Sequence, residues 1–83
     1  MPYIKKEDRV NLDLYLRSIH PASSGELNFC ITRLIQNFLG ANPNYTTYNA
    51  TIGALECAKL ELYRRVICEY EDNKITDNGD VYE

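Results

Sequence analysis

Between Ser23 and Gly40 the apolar side chains Leu27, Cys30, Ile31, Leu34, Ile35, Phe38 and Leu39 recur at i, i+3, i+4, i+7 and i+8 without a miss. That spacing winds them into one stripe of an α-helix and leaves the other face polar. Ser23-Ser24-Gly25-Glu26 precedes the stripe with S-x-x-E spacing, in which hydroxyl and carboxylate satisfy backbone N–H groups that have no helical acceptor. Gly40 follows as the residue that turns the chain in left-handed geometry. An amphipathic helix is predicted here, with one face buried against a core.

The flanking segments extend the helical pattern. Residues 40–46, GANPNYT, carry Gly, Asn and Pro turn chemistry. A long helix is predicted from Thr46 or Thr47 to about Asp72, with a stripe of Tyr48, Ile52, Leu55, Leu62, Val66 and Tyr70. Cys57, Leu60, Ile67 and Cys68 fall partly outside that stripe and make a second side apolar. Near the N-terminus two periods compete. Val10, Leu12, Leu14 and Leu16 alternate as a strand would, whereas Leu12, Leu16 and Ile19 beside Tyr15 fit a helix capped by Asp8. No second strand lies nearby to pair with it, so a short helix ending before Pro21 is expected. Residues 1–7 read as an extended arm. In the tail 74–83, Asn78-Gly79 is a turn signal that would fold Ile75, Val81 and Tyr82 back onto the body. The expectation is an all-α fold: one small three-helix domain spanning 1–83, with an irregular acidic tail.

A chain of 83 residues buries only about 60–65% of its unfolded surface, so its own core is marginal. Disulfides, metals or self-association stabilise such chains. Cys30, Cys57 and Cys68 are odd in number and form no C-x-x-C, and His20 is the single histidine. A homo-oligomer is therefore expected, with no metal site and no cofactor. From Glu69 onward six acids face Lys74 alone, a net of −5, so the rest carries +2 of the total −3. That balance disfavours duplex nucleic acid, whose binding depends on many phosphate contacts. No apolar run approaches the roughly 20 residues that cross a bilayer, and MPYIKKEDR lacks the apolar centre of a signal peptide. A cytoplasmic protein without membrane partners is expected.

The candidate chemistry gathers on the long helix. Glu56, Lys59 and Tyr63, at i, i+3 and i+7, lie near its apolar stripe, either as a polar cluster at a pocket mouth or as an ion pair at the edge of a core. Arg64 and Arg65 follow Tyr63, and Tyr70 comes seven residues after it. Guanidinium groups hold phosphate bidentately and tyrosines stack on a base, so this set suits a small anionic or nucleotide ligand. The competing reading pairs the arginines with Glu61, Glu69 or the tail. Glu69-x-x-Asp72 lacks the E-x-x-E that all-α nucleotide pyrophosphohydrolases place on a partner helix to hold magnesium. No catalytic residue is assigned.

The opening MPYI, the GELNF of the second helix and the run IGALECAKLELYRRVICEYEDNKITDNGDVYE together resemble a family of small uncharacterised proteins of phages and bacteria, which end in a YEDxKIxxNGDVY-like segment. The resemblance spans nearly the whole chain. It implies a compact stand-alone domain, of phage origin and resident in the host cytoplasm, and supplies no catalytic residues. Three functions are expected in descending order. The first is a self-associating, non-enzymatic binding module that sequesters a small anionic or nucleotide signal. The second is an interaction factor docking its acidic tail on a host or virion protein. The third is a metal-dependent nucleotide hydrolase built from Glu56, Glu61, Glu69 and Asp72 across chains.

Overall fold

The computed structural model describes residues 4–82. Every regular element among them is helical, and the fold is all-α. The chain divides into two compact units, Met1–Asn37 and Phe38–Glu83, which are described in turn.

The first unit holds α1, Lys6–Leu16, and most of α2, Ser24–Leu39. Helix wins over strand for the alternating segment, with a consequence for its surface. At about 100° per residue, an alternating pattern splits onto two sides of a helix, Val10 with Leu14 and Leu12 with Leu16. All four side chains are exposed. Asp8 is not the cap expected of it: Lys5 occupies the N-cap position without a side-chain bond, and Lys6 and Glu7, assigned to the arm, are already helical. The remainder of that arm is tied by Arg9, whose Nε and Nη2 donate to Ile4 O at 3.2 and 3.1 Å; residues 1–3 of the arm lie outside the described residues. The helix stops at Leu16, short of Ile19, because the chain must leave helical geometry ahead of Pro21.

The start of α2 carries its expected cap in displaced form. Ser23 Oγ accepts from Glu26 N–H at 3.1 Å and donates to Glu26 Oε2 at 3.5 Å, while Glu26 Oε1 accepts from the backbone N–H of Ala22 at 3.3 Å rather than from that of Ser23. Gly40 ends the helix at φ 68°, the left-handed geometry read from its position.

The second unit begins with α3, Tyr45–Leu62. Its cap is reciprocal: Asn44 Oδ1 accepts from Thr47 N–H at 3.0 Å, and Thr47 Oγ1 accepts from Asn44 N–H at 2.9 Å. Helical geometry then continues without a break through a π-helical turn, Tyr63–Ile67, into α4, Cys68–Asn78. The run thus passes Asp72 by six residues and absorbs 74–78, half of the segment expected to be irregular. Gly79, at φ 84°, donates its N–H to Ile75 O at 2.8 Å and ends α4 instead of making a hairpin turn. The fold-back of the tail does not occur: Val81 is 92% and Tyr82 85% exposed. Asp80 Oδ1 instead accepts from Tyr82 N–H at 2.9 Å in a local turn.

No apolar side chain among the described residues is buried; Thr51 alone is, its hydroxyl donating to Thr47 O at 2.8 Å. On α2 the stripe is half-covered at Cys30, Ile31, Ile35 and Leu39 but exposed at Leu27, Leu34 and Phe38. The buried face expected of this helix is therefore absent. Neighbours on the same helix cover part of such a stripe, and full burial needs a second surface.

Candidate anion site on a π-helical turn

The residues singled out for ligand binding are strung along one continuous helical run of the second unit, Glu56 to Tyr70 covering about 21 Å of its axis. Lys59 closes α3, Tyr63, Arg64 and Arg65 form the π turn itself, and Tyr70 lies in the first turn of α4. The turn is defined by a wide backbone bond, Cys68 N–H donating to Tyr63 O five residues earlier. Upstream, the Tyr63 N–H is shared between Leu60 O and Lys59 O. π turns of this kind are rare and frequent at functional sites, because the wider ring re-aims side chains and loosens the carbonyl ladder.

Partners divide the cations. Lys59 Nζ lies 3.4 Å from Glu56 Oε1, both side chains well exposed. This is the i, i+3 ion pair weighed against a pocket cluster, and Glu56 serves here as its counter-ion. Arg65 Nη1 donates to Glu61 Oε1 at 3.1 Å, one turn back. Arg64 has no salt bridge among the described residues. Tyr70 is engaged as well, its ring 5.5 Å from Lys74 Nζ in a cation–π contact. Of the six residues, then, four are engaged within the helical run, in three couples, and Arg64 and Tyr63 have no side-chain ion pair or hydrogen bond among the described residues.

The carboxylates do not gather. Among the described residues no three His, Cys, Asp or Glu side chains group closely enough to hold a metal ion, so Glu56, Glu61, Glu69 and Asp72 form no centre within one chain. All three cysteines are free, Cys57 and Cys68 exposed.

A feature the sequence reading passed over lies on the polar side of α2. Gly25, Asn28, Phe29, Thr32, Arg33 and Gln36 line a shallow groove of about 350 Å³. The Arg33 guanidinium sits 5.1 Å from the centre of the Phe29 ring. The i, i+3, i+4, i+7 spacing of Gly25, Asn28, Phe29 and Thr32 was available as a signal, masked by the stronger apolar stripe on the other side.

None of the helices is long and apolar enough to cross a membrane, among the described residues. A family model described as "Domain of unknown function (DUF6899)" matches residues 1–81. No curated protein and no solved structure matches the chain.

Proposed function

We propose, from the premise that this chain belongs to the DUF6899 family, that it is a self-associating helical module that binds a small phosphate-bearing anion without chemical turnover. The observation that carries the ligand class is Arg64, a cation without a salt bridge among the described residues, set in a π turn beside Tyr63. A guanidinium in that position offers its full donor fork to phosphate, and a neighbouring phenol ring offers a stacking face to a base. Arg65 and Lys59 add positive field while held by Glu61 and Glu56, and Tyr70, nearly two helical turns on, carries Lys74 against its ring. Self-association is supported by the exposed apolar side chains of α1, α2 and α3, which a second copy covers with surfaces of the same kind.

Sequestration of a nucleotide signal in a host cytoplasm, by a protein of phage origin, is the setting in which such a module is useful. Calorimetric titration with inorganic pyrophosphate and with ATP tests the ligand class. Binding lost in Arg64→Ala, with far-ultraviolet circular dichroism unchanged, supports it. Equal affinity in the wild type and the variant refutes it.

The acidic end favours a second reading. Glu69, Glu71, Asp72, Asp77 and Asp80 converge in sequence on the exposed Val81-Tyr82, a combination suited to a basic, partly apolar patch on a host or virion protein. Truncation after Gly79 leaves α4 and its terminating glycine in place, and loss of partner capture in that variant supports docking.

A further inference from the structure

Asn78-Gly79 ends α4, and the same dipeptide carries a reaction of its own. The chain holds eight asparagines, and Asn78 alone is followed by glycine. A backbone nitrogen attacks the side-chain amide of a preceding asparagine most readily when its own residue has no Cβ to crowd the approach. Around Gly79 that approach is open, with nothing within 4 Å of the position a Cβ would take. Asn78 is exposed, and its side chain makes no hydrogen bond among the described residues. Other asparagines are held differently: Asn44 Oδ1 accepts from Thr47 N–H, and Asn42 precedes Pro43, which has no backbone N–H.

Two features of the helix end oppose the reaction. Asn78 is the last residue of α4, and a helical ψ of about −42° keeps the following nitrogen turned away from its side chain. The Gly79 N–H also donates to Ile75 O at 2.8 Å, which holds the proton that the nitrogen must lose before it attacks. Both constraints vanish when the last turn frays, and terminal turns open at little cost in free energy. Gly79 itself sits at φ 84° and ψ 154°, so the helical ladder already stops there.

We propose that Asn78 is a self-modifying site, converted to aspartate and isoaspartate through a succinimide at a rate set by fraying of the last turn of α4. Gly79 N bonds to Asn78 Cγ, the Cγ–Nδ2 bond breaks, and the amide nitrogen leaves as ammonia with the proton that Gly79 lost. Water then opens the ring at either carbonyl. Cleavage between Gly79 N and Cγ gives aspartate. Cleavage between Gly79 N and the backbone carbonyl carbon of Asn78 gives isoaspartate, with the chain running through the former side chain. Either product sets a further negative charge between Asp77 and Asp80, at the helix end where the dipole disfavours it. Isoaspartate also lengthens the backbone by one carbon ahead of Gly79 and shifts its N–H out of register with Ile75 O. The product thus loosens the turn that restrained the asparagine.

Incubation of the full chain in mildly alkaline buffer, folded and in urea, tests this, with peptide mapping by mass spectrometry to read every asparagine. Thr76→Gly, which weakens the last turn and leaves Asn78-Gly79 in place, is treated in the same way, with helicity followed by circular dichroism. The site is upheld if conversion in the folded chain falls first on Asn78, with isoaspartate the major product. The gate is upheld if urea speeds conversion about threefold or more, and if Thr76→Gly raises the ratio of folded to urea rate at least about twofold. Earlier conversion at another asparagine, or none at Asn78 in the folded chain, overturns the site. Equal rates in the folded chain and in urea, or an unchanged ratio in Thr76→Gly, overturn control by the last turn.

Discussion

The Arg65 guanidinium meets the Glu61 carboxylate at 3.1 Å one helical turn back, while its neighbour Arg64 makes no ion pair among the described residues. Two adjacent arginines are thereby placed in different roles by a single local contact. Charge-assisted bonds to phosphate contribute about 1.5–3 kcal/mol each, whereas an exposed i, i+4 pair contributes about 0.3–0.5 kcal/mol.

Arg64→Ala should therefore reduce pyrophosphate affinity by about tenfold or more. Arg65→Ala should reduce it by only a fewfold, since part of the Arg65 field is already spent on Glu61. Titration calorimetry at two salt concentrations reads both, and a larger loss for Arg65 would reverse the assignment.

Asn44 anchors the start of α3 through its reciprocal bonds with Thr47. Asn44→Ala should cost about 1 kcal/mol of helix stability, seen as a lower thermal midpoint in circular dichroism. Asn44→Asp should keep most of it, because a carboxylate accepts the same bond and favours a helix N-terminus. Equal midpoints for wild type and Asn44→Ala would remove the cap from the account.

Gly40 and Gly79 sit at φ 68° and 84°, where a Cβ is strained although nothing crowds it. Gly79→Ala should fray α4 from its C-terminal end at a cost of about 1 kcal/mol, visible as faster amide exchange at Ile75–Asn78. Gly53 lies inside α3 with open space around the position of a Cβ. Gly53→Ala should raise helix stability by roughly 0.8–1 kcal/mol, unless an associated copy fills that space. Weaker association in Gly53→Ala would locate the contact there.

α2 is legible in the sequence because its stripe, its serine–glutamate cap and Gly40 all point to one answer. The first segment is legible only by elimination, since Val10 to Leu16 alternate and a helix built from them has two greasy sides. The end of the third run is misread because Asn-Gly suits a hairpin as well as a helix terminus; what decides is that Lys74–Asn78 continue the backbone ladder into Gly79. The π turn leaves no mark in composition, as Tyr63, Val66 and Ile67 satisfy an α period equally well. The Glu56–Lys59 and Glu61–Arg65 pairs are readable as spacings. That they leave Arg64 apart is a matter of geometry.

Light scattering coupled to size-exclusion chromatography, run from low to high micromolar concentration, addresses the whole proposal in one series. A mass rising to a multiple of 9.6 kDa, with Leu34→Asp or Phe38→Asp returning it to a single chain, is the expected result. A constant 9.6 kDa across the series would contradict it.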